Sequence, residues 1–302
     1  MSTKSLSGAP RLKFNNAFNW ARLASKHTFL RPLEAYGAAI ELLPQFIWLG
    51  ATTTQRYDDL LVAEALAVRA ASVAIVSSNY TLAIEWLEHA RCVVWNQSLM
   101  LRSPLEDLHS VNKDLAARLQ VVADTLHSAS LESRESRALS SGSMSPEEVA
   151  QEHRSLAKEY SSLLARVRTI PGFEDFLQPT KSKELVGAAR YGPIVVINCD
   201  DTHCDALIIL PGQYDIKHVP LPNFTKEKAK STRFEIEHLI RSKRLKEGVI
   251  KRRPVLPAKE VDFEGLLAVL WYDIVKPVLD HLGYMVRFLI VSYSYRHANK
   301  LI

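Results

Sequence analysis

The most chemically loaded stretch of the chain is Cys199-Asp200-Asp201-Thr202-His203-Cys204, which sets two thiols, one imidazole and two carboxylates within six residues. Such a run offers two kinds of chemistry. Thiolate and imidazole ligate zinc, and an imidazole beside a thiol can activate a nucleophile. A closed metal site needs a second knuckle or spaced further ligands, and no second cluster follows. Apolar, β-branched runs flank the stretch, so it reads first as a hairpin turn with a Cys on each side; metal and catalytic thiol are the lesser alternatives. His218 and His297 stand without an identifiable nucleophile or orienting partner and read as loop or surface residues. His89 and Cys92 fall three residues apart on one predicted helix, a spacing that serves packing. The 11 glycines include no phosphate-cradling loop, and G-x-S-x-G and H-E-x-x-H are absent. No catalytic, cofactor-binding or metal residue is therefore assigned.

Charge gives a second candidate. The formal net charge is +5, but residues 224–253 hold 11 Lys/Arg against 4 Asp/Glu. The basic character belongs to one segment, carried by Lys226, Lys228, Lys230, Arg233, Arg241, Lys243, Arg244 and Lys246, with Lys251, Arg252 and Arg253 beyond. Single-stranded nucleic-acid binding calls for aromatic interleaving, and only Phe224 and Phe234 are near. A solvated helix face is the first expectation and an acidic protein partner the second. "RSKRLKEGVIKRR" also resembles a basic nuclear-import stretch.

The elements that must position these residues are legible. The chain has 302 residues, 47% hydrophobic and 24% charged, enough for a sizeable core and about two ordinary domains. Three cysteines are too few for a disulfide framework and suit a reducing compartment. The N-terminus lacks a signal-peptide apolar region, and no run of about 18 apolar residues occurs. A cytoplasmic protein is expected, with a nuclear location as the variant.

Helical periodicity predicts helices near Ala17–Ala24, Pro32–Leu43, Arg56–Ser77 and from Tyr80 onward. In the third, Leu60, Leu61, Ala65, Val68 and Ala71/Ser72 fall at three- and four-residue steps. Ser103-Pro104-Leu105-Glu106 and Ser145-Pro146-Glu147-Glu148 both read as Ser N-cap, Pro at N1 and Glu at N3. Each start opens a long apolar stripe, Leu105 to Leu126 and Val149 to Ile170. The link Ser128–Ser145 holds eight Ser in 18 residues. An antiparallel helical hairpin is expected, with a coiled-coil dimer as the alternative. After Pro171-Gly172, three short apolar runs, Gly192–Asn198, Cys204–Pro211 and Asp215–Leu221, predict a meander. Helices near Thr225–Lys246 and Val261–Leu282 follow. The fold class expected is α+β, mostly α: helical repeats over 1–100, a helical hairpin over 101–180 and an α/β part over 181–302.

Trp20, Leu23, Ala24, Tyr36, Ala39 and Pro44 follow the order of the tetratricopeptide (TPR) pattern with stretched spacing, and Tyr80, Ala83, Leu87 and Ala90 repeat part of it. "AIEWLEHARCVVWNQSLMLRSPLEDL" (Ala83–Leu108) resembles the last repeat of fungal TPR proteins with a C-terminal CHAT domain, the aromatic di-alanine and TPR proteins. "RVRTIPGFEDFLQP", "GPIVVIN", "CDALIIL", "HVPLPNFT" and "VLWYDIVKPVLDHLG" follow in that family's order. The resemblance covers Ala17 to Gly283. It implies a caspase- and separase-like domain using a Cys–His dyad in which imidazole withdraws the thiol proton. No position here matches that His or Cys, and the family pattern stops at Gly283.

Two functions follow as expectations. One is a non-catalytic protein–protein interaction protein: a TPR-like scaffold that binds a protein or peptide through its helical repeats, joined to an incomplete CHAT domain. The alternative is a CHAT-class cysteine peptidase whose catalytic segment is missing from the gene model. Neither expectation includes a cofactor or a membrane, and the oligomeric state is left open.

Overall fold

The structure is a computed structural model describing residues 10–49, 51–62, 64–131, 145–246 and 263–284. It is mostly helical, with one three-stranded antiparallel sheet. The chain divides into two compact units, Met1–Glu184 and Leu185–Ile302.

The first unit is built from α1 (Pro10–Ala24), a 3-10 turn (Thr28–Leu30), α2 (Pro32–Phe46), α3 (Thr53–Val62), α4 (Glu64–Val76), α5 (Tyr80–Arg91), α6 (Val93–Met100), α7 (Glu106–Val111), α8 (Lys113–Leu131) and α9 (Pro146–Val167). α1 packs on α2, and α4 packs on α5. Alanine makes those close approaches possible: Ala17, Ala21 and Ala24 of α1, Ala35 and Ala39 of α2, and Ala70, Ala71 and Ala74 of α4 are fully buried. Phe14 stacks on Phe46 with ring centroids 4.2 Å apart, so α1 begins earlier than its apolar spacing suggested.

The segment expected as one helix from Arg56 to Ser77 is helical on both sides of residue 63, which lies outside the described residues. Its expected apolar face is corrected in part. Ala71 and Ser72 are buried as expected, but Leu61 and Ala65 are exposed, and the buried stripe of α4 is Leu66, Ala67, Ala70, Ala71 and Ala74. A helix this rich in alanine is apolar nearly all round, so periodicity does not single out its inner face.

The two Ser-Pro-x-Glu signals part company. Ser145 caps α9 in a complete capping box, with Glu148 N–H donating to Ser145 Oγ at 3.3 Å and Ser145 N–H to Glu148 Oε2 at 2.7 Å. Ser103 caps nothing: its hydroxyl donates back to Leu99 O at 3.2 Å, and α7 starts only at Glu106. The long helix expected from Leu105 is also interrupted at Asn112, whose backbone leaves helical geometry and whose Oδ1 accepts from Leu115 N–H at 3.0 Å. An Asn that caps the second segment satisfies an N–H the break would otherwise orphan.

α8 and α9 pack as the expected hairpin. Arg118 Nε and Nη2 donate to the two Glu159 oxygens at 2.6 and 2.8 Å. These residues lie about equally far from the link at 132–144, as antiparallel pairing within one chain requires. Leu108, Leu119, Val122, Leu126, Tyr160 and Val167 form the core beneath. Each fully buried side chain of this size contributes about 1.5–3 kcal/mol. Tyr160 Oη donates to Met100 O at 3.1 Å and ties α9 to the end of α6.

The second unit holds the sheet. β1 (Ile194–Cys199), β2 (Cys204–Ile209) and β3 (Lys217–Pro220) lie in that order as an antiparallel meander, as their sequence predicted. A short helix α10 (Ser182–Gly187) precedes them, and α11 (Lys226–Lys246), α12 (Phe263–Leu270), a π turn (Trp271–Val275) and α13 (Lys276–His281) follow. The π turn comes just before Pro277, which has no N–H to give to the preceding turn. Cys204, Ala206 and Ile208 of β2 pack with Val219, Phe224, Ile274 and Val278.

Candidate functional site

Strand register decides what the Cys-Asp-Asp-Thr-His-Cys run does. Cys199 faces Cys204 directly across β1 and β2, so the run is the hairpin end, as expected. Successive side chains alternate between the faces of a sheet. Cys204 therefore points into the helix-covered face, while His203 and Asp205 belong to the other. Burial raises both thiols above the ordinary cysteine range, Cys204 strongly. A protonated, buried thiol is a poor nucleophile. Among the described residues, no group of three or more His, Cys, Asp or Glu is arranged to hold a metal ion.

On the opposite face sits a polar constellation that sequence reasoning missed. Asp205 has a side chain only 4% exposed, and its Oδ1 accepts from His218 Nε2 at 2.7 Å. His203 Nε2 lies 3.2 Å from Asp205 Oδ2. That approach is off the line of a hydrogen bond, and Oδ2 is buried without a donor among the described residues. His203 Nδ1 is 2.7 Å from Thr202 Oγ1. One carboxylate thus holds the His218 imidazole on β3 by a hydrogen bond and lies beside that of His203, just before β2. The signal was available: β2–β3 pairing places Leu207 opposite His218, which brings Asp205 diagonally within reach on the same face.

The hairpin end and the start of α11 enclose a cleft of about 380 Å³, lined by Asp200, Asp201, His203, Asp205, Phe224 and Lys226 among others. Asp200 Oδ1 is also buried without a hydrogen-bond partner among the described residues. The cleft is acidic, with Lys226 paired to Asp201 inside it.

The basic helix spends much of its charge internally. Lys226 pairs with Asp201, Lys228 Nζ with Asp273 at 2.8 Å, and Arg233 Nε with Glu237 at 2.9 Å. Lys228 Nζ also donates to Asn223 O at 2.8 Å. Lys230 and Arg241 are exposed. The side chains of Lys243, Arg244 and Lys246, and residues Lys251, Arg252 and Arg253, lie outside the described residues, as does His297. The first half of the patch is therefore partly neutralised and anchors α11 to the hairpin end and to the π turn.

Comparisons with family models, with curated proteins and with solved structures returned no match.

In the first unit, His89 and Cys92 are half-buried, and their neighbours explain them. Burial lowers the His89 value, while its hydrogen bond to the Ile40 backbone opposes the shift. Burial and the Glu88 carboxylate raise Cys92. A more unusual group is Arg56, 1% exposed. Its Nη1 donates to Gln97 Oε1 at 3.3 Å, and its Nη2 to Thr53 Oγ1 and Ser98 Oγ at 3.4 and 3.5 Å. Desolvation lowers its value. Gln97 in turn donates to Pro44 O and Ile47 O, at 3.2 and 2.8 Å. Arg56 and Gln97 thus bind α3, α6 and the end of α2 through neutral partners.

Opposite that buried face, α6 turns Trp95 and Leu99 outward, with Trp95 62% exposed. Tyr57 and Leu61, four residues apart on α3, are exposed too. Among the described residues, no helix is long and apolar enough to cross a membrane.

Proposed function

We propose that the chain is a non-catalytic interaction protein whose TPR-like helical pairs bind a peptide or protein segment, joined to a CHAT-like α/β unit. The observation that carries this reading is the exposed set Tyr57, Leu61, Trp95 and Leu99 on α3 and α6. Those two helices are clamped by the buried Arg56–Gln97 network. Exposed aromatics on rigid elements are typical contact residues, since ordering them costs little entropy. The Ala-lined pairing of α1 with α2 and of α4 with α5 supports a TPR-like arrangement, because small residues are what let repeat helices approach. A meander followed by covering helices, in the order the family phrases run, supports the CHAT-like assignment.

The cysteine-peptidase alternative draws no support from the described thiols, all three of which burial pushes above the ordinary cysteine value. The test is selection of a random peptide library on the purified full chain, with selected peptides then incubated and sized. Retained, uncut peptides that compete with one another support the reading. Turnover of any of them removes it.

A further inference from the structure

We propose that Cys199 and Cys204 are a reversible oxidation site, at which a peroxide joins them in a cross-strand disulfide that closes the β1–β2 hairpin. The geometry comes from the register. Asp200 N–H donates to His203 O at 2.9 Å, which makes 200 and 203 a hydrogen-bonded position. Cys199 and Cys204, the next pair in, are then a non-hydrogen-bonded pair. At such positions the Cα atoms are about 4.5 Å apart and the side chains are at their closest. A disulfide spans Cα separations of about 4.4–6.8 Å, so the bond forms here with little backbone movement.

Cys199 is half-buried and Cys204 buried, which assigns the order of events. The Cys199 thiol loses its proton to solvent, and the small thiolate fraction attacks a peroxide oxygen; the O–O bond breaks, the leaving oxygen takes up a proton, and a sulfenic acid and one water (or alcohol) result. Cys204 sulfur then attacks that sulfenic sulfur, forming the S–S bond and releasing a second water. Two thiols are oxidised, one peroxide is reduced, and both thiol protons leave in the products. Burial keeps both groups protonated, so the pair stays reduced in a reducing compartment and reacts only under sustained oxidant.

The experiment uses the reduced full chain, treated with hydrogen peroxide, alkylated in denaturant and digested with trypsin. Both cysteines fall on one tryptic peptide, residues 191–217. The expected result is that this peptide loses two hydrogen atoms and takes no label, while Cys92 is labelled. Dithiothreitol then restores both labels. Labelling of Cys199 and Cys204 after oxidation, a persistent oxygen adduct on either, or a bond from either to Cys92 overturns the proposal. A six-residue loop can also close in an unfolded chain, so a glutathione titration is run folded and in urea. The folded chain is expected to favour the disulfide by about tenfold, or about 30 mV. An equal or lower preference in the folded chain overturns the proposal as well.

Discussion

Asp205 and His218 offer a direct measure of what the polar face of the sheet contributes. The carboxylate is nearly enclosed, and its bond to His218 Nε2 is short at 2.7 Å. A hydrogen bond to a charged group in such a setting is worth about 1.5–3 kcal/mol. Asp205→Ala removes it and also strips His203 of its neighbouring carboxylate. His218→Ala removes the same bond from the other side. If the bond is the shared loss, the double substitution costs less than the sum of the singles by about 1–2 kcal/mol, within the usual span for contacting residues. Amide hydrogen exchange across residues 204–220 reads this locally, because about 1.4 kcal/mol is tenfold in an opening equilibrium. The Asp205→Ala chain should lose about 10–100-fold protection there, with α8 and α9 unaffected. A coupling below about 0.5 kcal/mol would refute the assignment of Asp205 as the group that holds His218.

Other substitutions test the helical unit. Ser145→Ala should cost about 1 kcal/mol and fray the first turn of α9 in hydrogen exchange, whereas Ser103→Ala should leave α7 unchanged because Ser103 caps nothing. Hydrogen bonds from the Ser145 backbone and side chain hold the Glu148 carboxyl below its ordinary value. Its contribution is therefore complete above the unfolded value and is lost as pH falls through the lower folded one. Protection of that turn should decline below about pH 4 in a titration followed by exchange. Leu126→Ala should destabilise the hairpin by about 2–5 kcal/mol in chemical denaturation, while Val121→Ala, on the exposed side of the same helix, should shift it by under about 0.5 kcal/mol. Tyr160→Phe leaves Met100 O without its donor and should cost about 1–3 kcal/mol in the same assay.

What the sequence disclosed depended on whether one local rule decided the outcome. The three strands were legible because short β-branched runs between polar turns admit few other structures. The α8–α9 hairpin was legible because both stripes keep their three- and four-residue steps. Two identical Ser-Pro-x-Glu strings diverged because a cap is made only where the chain leaves helical geometry. After Leu101 it leaves later, at Leu105, and breaks again at Asn112. The inner face of α4 was illegible because alanine satisfies every face. Asp205 was overlooked because its partners come from the strand register and lie elsewhere in the sequence. Arg56 was invisible because nothing local marks a cation that will be buried among Thr53, Gln97 and Ser98.

The central claim is that α3 and α6 present a contact surface for a peptide. Hydrogen exchange of the full chain, with and without a saturating library-selected peptide, tests it most directly. The account predicts added protection over Thr53–Val62 and Val93–Met100, abolished together with binding in a Trp95→Ala, Leu99→Ala chain. Protection confined to residues 194–227, or unchanged binding by that doubly substituted chain, would contradict it.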